Sequence, residues 1–282
     1  MKSLGDFYFI FSMLFILFCA GCCISEKNIK TKSPSYMEHI TDSIVAFPEY
    51  AEDGSLEVMY CSGFFIDEKH IITARHCLLD IPELEVMKNI IGYNDNTKII
   101  FDTYIKEKIN NIGLIPILKH TKGIEIDFEE NSKKDKTIKT KLVYMNINTL
   151  HKYPDYNDIA ILEVLNKKDY SKHWLKFASK QSFVNDDIIS ISFINQNPWY
   201  LTNGRISKIH YEYDKHGNIK HENMIVGNMT TLPGASGSPL LNSEGDVIGI
   251  TSYVQYYKTG QVVDFGFFVS SYYIANFYKE VR

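Results

Sequence analysis

The sequence predicts an all-β protein that ends in a single α-helix, and three observations support this fold class. Short runs rich in Ile, Val, Phe and Tyr recur between Ile44 and Val269 and are separated by turn residues. Helical periodicity is clear only after Ser270. The chain of 282 residues, 45% of them hydrophobic, can fill two β-domains of roughly 110 residues each, or one larger domain.

Strands are predicted in both halves of the chain. They cover residues 56–66, 69–73 and 141–147 in the first half, and 188–194, 204–213, 224–227, 246–254 and 262–269 in the second. Residues 214–218, with the sequence DKHGN, are typical of a hairpin turn between two of these strands. The charged segment 119–139 is predicted to be a solvated loop.

The C-terminal helix is predicted to start near Ser270, because serine is a common helix N-cap. Ile274, Phe277, Tyr278 and Val281 then lie on one face at 3.6 residues per turn.

The first 21 residues resemble an export signal, because an apolar run at 7–18 leads into small residues. The sequence Cys19-Ala20-Gly21-Cys22 is also similar to the lipobox of bacterial lipoproteins, with Cys22 as the candidate for lipidation. Cys19 departs from that pattern, which usually has Leu at this position. A plain cleaved signal and a retained membrane anchor are the alternatives.

Residues 22–38 are polar and rich in lysine, which predicts a flexible tether, and folding should begin near Ile40. The protein is therefore expected to be exported. It would be secreted or attached to the outer side of a membrane, in a periplasm or at a cell surface. Such a compartment permits disulfides.

Charge and motif content exclude several classes of ligand. With 30 Lys and Arg against 34 Asp and Glu, the net charge is −4, so nucleic acid is not expected as a partner. No glycine-rich loop for a phosphate group occurs, and no cofactor is expected. His210, His216 and His221 surround one predicted hairpin, but their spacing matches no metal motif, so solvated histidines are the preferred interpretation.

Three motifs bring reactive side chains into one order along the chain. His76 follows the strand at 69–73 and precedes Cys77, Asp158 stands at the head of an apolar strand, and Ser236 lies within the sequence PGASGSP. A serine hydroxyl becomes a good nucleophile when an imidazole takes its proton and a buried carboxylate orients that imidazole.

The glycines that flank Ser236 predict a sharp turn in the backbone at this position. Gly234 and Gly237 relieve steric limits, so that the N–H groups of Gly234 and Ser236 can point at a developing oxyanion. These two residues are the expected oxyanion donors.

Together, the three motifs resemble those of the trypsin-like, or chymotrypsin-fold, serine peptidases, from about residue 40 to the C-terminus. The sequence TARHC at 73–77 is similar to the family's TAAHC box, with Arg75 as a departure. The sequences DIAIL at 158–162 and GASGSP at 234–239 are similar to its aspartate strand and its serine loop.

The resemblance implies two six-stranded antiparallel β-barrels and a C-terminal α-helix. The first barrel, residues 39–170, would carry His76 and Asp158, and the second, residues 171–282, would carry Ser236. It further implies a disulfide between Cys61 and Cys77 that braces the histidine loop. The implied function is that of a serine endopeptidase acting on protein or peptide substrates, as a monomer.

Within the family, the chain looks closer to bacterial glutamyl endopeptidases and HtrA-like proteases than to digestive trypsins. Ala235 stands where the digestive enzymes have the aspartate that captures a new N-terminus on activation, and Ser238-Pro239 stands in place of their Gly-Pro. Activation by that salt bridge is therefore not expected here.

The resemblance also places the specificity pocket. Thr230 occupies the position of the aspartate in trypsins, so cleavage after Lys or Arg is not expected. Thr231 matches a threonine of the glutamyl endopeptidases, but Thr251 stands at the position of their pocket histidine. A neutral threonine supplies no cationic partner for glutamate, so a small or neutral polar P1 residue is at least as well supported.

Ser252, Tyr253 and Val254 are expected to bind substrate by pairing with it as an extra strand. The interval between His76 and Asp158 is long, and residues 80–139 are predicted to form surface loop or added strands near the cleft rim. The main alternative function is a non-catalytic module of the same fold that binds a partner or acts as an adhesin.

Overall fold

The computed structural model describes residues 39–50, 56–78, 113–116, 138–145, 158–194, 197–256 and 262–281. Within these ranges the chain forms twelve β-strands and a C-terminal α-helix, which confirms the predicted fold class. The predicted signal at 1–21, the tether at 22–38 and the lipidation candidate Cys22 lie outside the described residues.

The first six strands close into an antiparallel barrel in the order β1-β2-β3-β6-β5-β4. They are β1 (Ile44–Tyr50), β2 (Leu56–Phe65), β3 (His70–Thr73), β4 (Gly113–Pro116), β5 (Ile138–Met145) and β6 (Ala160–Val164). The side chains that fill this barrel include Val45, Phe47, Phe65, Ile71 and Leu162, each at most 2% exposed.

The last six strands close into a second barrel in the order β10-β11-β12-β9-β8-β7. They are β7 (Asp187–Ile194), β8 (Asn197–Tyr213), β9 (Ile219–Gly227), β10 (Pro239–Asn242), β11 (Val247–Tyr256) and β12 (Val262–Ser270). This barrel has its own core, with Ile188, Ile225, Leu240 and Phe268 at most 1% exposed.

The strand β4 lies inside the interval predicted to be surface loop or added strands, and it is an integral part of the first barrel. It pairs with β1 at Val45↔Pro116 and with β5 at Gly113↔Lys139, and it thereby closes the cylinder. The strand β5 begins at Ile138, so the last two residues of the predicted loop 119–139 are in a strand. Residues 119–137 lie outside the described residues.

The strands β8 and β9 both begin earlier in the chain than predicted. The strand β8 begins at Asn197 instead of 204, and β9 begins at Ile219 instead of 224. The added segments carry exposed side chains such as Tyr200, Leu201 and Ile219. A strand whose side chains are exposed lacks the alternating apolar pattern that marks a half-buried strand, and so the sequence does not show its full length.

The C-terminal helix α1 (Ser271–Val281) forms as predicted. The hydroxyl of Ser270 accepts the backbone N–H of Tyr272 at 3.3 Å, as an N-cap does. Ile274 and Tyr278, on the predicted apolar face, are 0% and 8% exposed. No helix among the described residues combines the length and apolar character that crossing a membrane would need.

The helix α1 follows the last strand of the second barrel, and two of its side chains contact the first barrel. Phe277 stacks on Tyr144 of β5 with ring centroids 4.7 Å apart. The hydroxyl of Tyr278 donates a hydrogen bond to Oδ2 of Asp67, in the turn between β2 and β3. Asp67 also binds the Nδ1 atom of His70 at 2.6 Å, which places a buried imidazole beside the helix.

Asp67 is held in its ionised form. Burial alone would raise its pKa, but hydrogen bonds from His70, Tyr278 and the backbone N–H groups of Lys69 and His70 hold the pKa far below its usual value. A carboxyl whose pKa is lowered by folding stabilises the folded state above the unfolded-state pKa. That stabilisation is lost as the pH falls from about 5 toward the folded-state pKa.

We expect the Asp67→Asn variant to lose about 2 kcal/mol of unfolding free energy at pH 7, because charged hydrogen bonds are replaced by neutral ones. Urea denaturation followed by circular dichroism should show that the difference in unfolding free energy between wild type and this variant becomes smaller between pH 5 and pH 3. The matched control is Asp187→Asn, whose exposed ion pair with Arg205 should contribute at most about 0.5 kcal/mol. A difference in unfolding free energy that stays constant with pH would contradict the role assigned to Asp67.

Candidate active site

His76 lies in a short 3-10 helix, Arg75–Cys77, that follows directly on β3. The strand β3 is buried along its length, so it supports the start of this turn rigidly. The side chain of His76 is 32% exposed, which leaves the imidazole accessible at the edge of the first barrel. Arg75, the departure from the family box, is 1% exposed and therefore lies in the interior.

Asp158 precedes β6, which pairs antiparallel with β3 so that Thr73 lies opposite Ala160. This register brings the residue before β6 to the same end of the barrel as the turn after β3. The Oδ2 atom of Asp158 lies 2.8 Å from Nδ1 of His76, and Oδ1 accepts the backbone N–H of His76 at 3.0 Å. Two bonds to one residue hold both the position and the orientation of the imidazole.

Asp158 is only 4% exposed, and burial alone would raise its pKa. The charge of His76 and the hydrogen bonds from His76 and Ser252 outweigh that effect and lower the pKa below its usual value. The carboxylate therefore stays ionised at neutral pH. In that state it accepts the Nδ1–H of the imidazole and leaves Nε2 as the basic nitrogen.

Ser252 has a role beyond the substrate pairing predicted from its position. Its hydroxyl donates a hydrogen bond of 2.5 Å to Oδ2 of Asp158. The register between β11 and β12 passes from Thr251↔Phe268 to Tyr253↔Phe267, so Ser252 is the extra residue of a β-bulge. A bulge redirects a side chain, and here it directs the Ser252 hydroxyl from the second barrel to the carboxylate of the first.

Ser236 lies in the loop between β9 and β10, at the boundary between the barrels. Its carbonyl oxygen accepts the backbone N–H of Ser62, on β2, at 2.7 Å. The same oxygen lies 3.7 Å from Sγ of Cys77, which is joined to Cys61 by a disulfide with a Cα–Cα distance of 5.9 Å. Ser236 is thus placed against the turn that carries His76.

The backbone of this loop has the conformation that its glycines were expected to permit. Gly234 and Gly237 have φ angles of +98° and +81°. A Cβ atom on Gly234 would lie 2.6 Å from the carbonyl oxygen of Phe193, and one on Gly237 would lie 2.1 Å from that of Ser62. No other residue fits at either position.

The direction of the Ser236 N–H follows from the peptide bond before it. The carbonyl of Ala235 accepts the N–H of Ser238 at 3.0 Å, inside the turn. In a trans peptide the C=O and N–H groups point in opposite directions, so the N–H of Ser236 points out of the turn. Among the described residues, neither this N–H nor that of Gly234 donates a backbone hydrogen bond. Neither N–H is therefore used by the described backbone of the turn.

The predicted pocket residues differ in environment. Thr230 is exposed, whereas Thr231 is 2% exposed and its hydroxyl has no hydrogen-bond partner in the described part of the chain. Thr251 is buried, with its hydroxyl 2.8 Å from that of Ser238. A Cβ atom on Gly266, next to Thr231, would lie 2.6 Å from the ring of Phe268, so the surroundings of Thr231 are tightly packed.

Tyr253 and Val254 lie on β11, where they pair with Phe267 and Gly266 of β12. The ring of Tyr253 stacks on that of Phe267 at 4.4 Å. Pairing with β12 therefore fixes one edge of β11 beyond the bulge.

Of the three hairpin histidines, His221 is held by an aromatic ring and lies beside a carboxylate. The ring of His221 stacks on Tyr273, and its Nε2 lies 3.0 Å from a carboxylate oxygen of Glu212. Over the described ranges, the group of three ligand side chains close enough to share an ion is Cys61, His76 and Cys77. Its two sulfurs are already consumed in the disulfide.

Comparisons with known proteins agree with this arrangement. The family described as the trypsin-like peptidase domain matches residues 61–250. Among solved structures, the chain is similar to the inactive form of a serine-to-alanine mutant of Rv3671c from M. tuberculosis H37Rv. The TM-score is 0.53 at 14% identity, over 91% of this chain and 94% of that chain.

The chain is also similar to the active form of the Rv3671c protease from M. tuberculosis, with a TM-score of 0.54 at 16% identity, over 90% of this chain and 87% of that chain. Likeness at such identity shows the fold. No protein of curated function matches the chain in sequence.

The family match covers more than half of the chain and spans all three motifs, from the strand that carries Cys61 to β11, the second strand after Ser236. It agrees with two closed six-stranded barrels and with the geometry at their boundary. The chain therefore belongs to the trypsin-like peptidase family and is a serine protease.

Proposed function

We propose that the protein is an exported serine endopeptidase in which Ser236, His76 and Asp158 form the catalytic triad. The observation that carries the proposal is the buried carboxylate of Asp158, bonded at 2.8 Å to the Nδ1 atom of a partly exposed His76. The disulfide beside His76 contacts the loop that carries Ser236. These contacts support a site that combines a nucleophile, a base and the group that orients the base.

In the proposed reaction, Oγ of Ser236 attacks the carbonyl carbon of the scissile peptide bond while Nε2 of His76 takes its proton. The N–H groups of Gly234 and Ser236 stabilise the negative oxygen of the tetrahedral intermediate. The imidazolium then protonates the leaving amine, and the acyl group remains on Ser236. Water, deprotonated by His76, releases the acid and restores the hydroxyl.

Asp158 contributes by remaining ionised throughout. Its hydrogen bonds to His76 and Ser252 hold its pKa below the usual value, so the proton received by His76 stays on the imidazole. The carboxylate is itself only 4% exposed, so it stabilises that positive charge more strongly than a solvated carboxylate would.

The first prediction from this proposed function concerns the nucleophile. Diisopropyl fluorophosphate should label the folded wild type once, on the peptide that contains Ser236, and mass spectrometry should find no label on Ser236→Ala. Peptide hydrolysis by this variant should fall by roughly 10³-fold or more. The control is Ser171→Ala, in the connection between the barrels, which should be labelled as wild type is.

Absence of label on the folded, mature wild type would instead support the non-catalytic binding module or adhesin. Persistent labelling of Ser236→Ala would show that another residue is the nucleophile.

We further propose that the enzyme prefers a small or neutral polar P1 residue. Thr231 supports this, because its buried hydroxyl has no partner among the described residues and would gain a hydrogen bond from a polar side chain that reaches it. Thr251 supplies no positive charge, and its hydroxyl already lies 2.8 Å from that of Ser238. A glutamate side chain would be buried there without a cationic partner.

A second prediction follows for a peptide library with varied P1 residues. We expect kcat/KM to be higher for Ala, Ser or Thr at P1 than for Glu. The isosteric Thr231→Val variant should reduce kcat/KM for Ser or Thr at P1 by roughly 10-fold and leave that for Ala nearly unchanged. A preference for Glu over Ala and Ser would show that the protein is a glutamyl endopeptidase instead.

Export is proposed from the N-terminal sequence, with Cys22 as the candidate for lipidation. The third prediction is that the intact mass of the protein purified from its native host lacks residues 1–21 and carries a diacylglyceryl group on Cys22. Replacement of Cys22 by Ser should abolish the lipid. A mature protein that still begins at Met1 would contradict both lipidation and signal cleavage.

A further inference from the structure

Ser62 occupies an unusual position at the boundary between the barrels. It lies on β2 directly after the disulfide residue Cys61 and is completely buried. Its neighbours across the boundary are Phe193 of β7 and the loop that carries Ser236. Ser62 thus belongs to the first barrel, and three of its hydrogen bonds reach the second.

The side-chain hydroxyl of Ser62 is used in both directions. It donates to the carbonyl oxygen of Gly234 at 2.9 Å and accepts the backbone N–H of Phe193 at 3.1 Å. A hydroxyl has one proton, and its position is fixed once the N–H of Phe193 approaches from the other side. The carbonyl of Gly234 is therefore held in one direction.

The backbone of Ser62 holds the other end of the same loop. Its N–H donates to the carbonyl oxygen of Ser236 at 2.7 Å, and its own carbonyl accepts the hydroxyl of Thr73 at 2.8 Å. One residue thus binds the carbonyls of both Gly234 and Ser236. The N–H groups of these two residues are the proposed oxyanion donors.

The loop needs such support from outside because glycine does not limit its own φ and ψ angles. The peptide between Gly234 and Ala235 is held at both ends, since the N–H of Ala235 donates to the carbonyl of Leu232 at 3.0 Å and the C=O accepts from Ser62. The two donor peptides lie on either side of it. Their directions depend on this central peptide.

We infer that Ser62 is a positioning residue of the oxyanion site, which its hydroxyl fixes by holding the peptide between Gly234 and Ala235. The inference rests on the proposed peptidase function. Without the hydroxyl, the carbonyl of Gly234 and the N–H of Phe193 both lose this buried hydrogen-bond partner. The loop is then no longer held in one conformation. Misdirected donors weaken binding of the transition state more than binding of the substrate.

The test compares Ser62→Ala with Ser43→Ala. Ser43 is also completely buried, and its hydroxyl donates to the carbonyl of His39 at 2.8 Å, away from the site. We expect Ser62→Ala to lower kcat roughly 10- to 100-fold and to change KM less than about threefold. Inactivation by diisopropyl fluorophosphate should slow in parallel, because its phosphoryl oxygen uses the same donors. Ser43→Ala should keep both rates within about twofold.

A second pair of variants separates the hydroxyl from stability. Ser62→Thr keeps the hydroxyl and Ser62→Val replaces it with a methyl group of similar size. We expect kcat of Ser62→Thr to exceed that of Ser62→Val by roughly 10-fold or more. This comparison decides the matter where Ser62→Ala does not fold. Equal kcat values for the two variants, or a Ser62→Ala variant with wild-type kcat, would overturn the inference.

Hydrogen exchange distinguishes failure of the inference from failure of the proposed function. The amide of Ala235, measured in a peptide covering 232–238, should exchange roughly 10-fold or more faster in Ser62→Ala than in wild type or Ser43→Ala. Faster exchange in a protein with no peptidase activity would support the positioning role and reject the function. Unchanged exchange together with unchanged kcat in an active enzyme would reject the positioning role alone.

Discussion

The hydrogen bond between the backbone N–H of Ser62 and the carbonyl of Ser236, 2.7 Å long, is the contact on which the site depends. His76 and Asp158 belong to the first barrel and Ser236 to the second, so the proposed triad forms only when the two barrels meet in a fixed orientation. Gly237 allows that approach because it has no Cβ atom. The Cβ atom of any other residue would lie 2.1 Å from the carbonyl oxygen of Ser62. Ser252 adds a second bond across the boundary, to the carboxylate of Asp158.

Two His–Asp pairs of similar geometry have different surroundings. His70 and Asp67 are 2.6 Å apart and His76 and Asp158 are 2.8 Å apart, yet the side chains of the two histidines are 3% and 32% exposed. The first imidazole is enclosed by the fold and lies beside Tyr278 of the C-terminal helix. The second is partly exposed at the edge of the first barrel. Burial thus makes the first pair a structural link and leaves the imidazole of the second partly accessible, as the proposed proton transfer requires.

Much of the candidate site could be predicted from the sequence because its parts are local. His76, Asp158 and Ser236 each lie in a short motif at the end of a strand, and the family resemblance supplies their order and the disulfide partner. The roles of Ser62 and the Ser252 hydroxyl could not be predicted, because both arise from contacts across the boundary between barrels. The β-bulge that directs Ser252 depends on pairing with β12, which its own sequence does not reveal. Likewise, β4 is identified as a barrel strand only by its partners β1 and β5.

The most direct test is a crystal structure of the protein after reaction with diisopropyl fluorophosphate. Phosphorus should be bonded to Oγ of Ser236, with the phosphoryl oxygen about 2.7–3.1 Å from the backbone nitrogens of Gly234 and Ser236. The hydroxyl of Ser62 should still contact the carbonyl of Gly234. Phosphorus on another side chain, or a phosphoryl oxygen turned away from both nitrogens, would contradict the account.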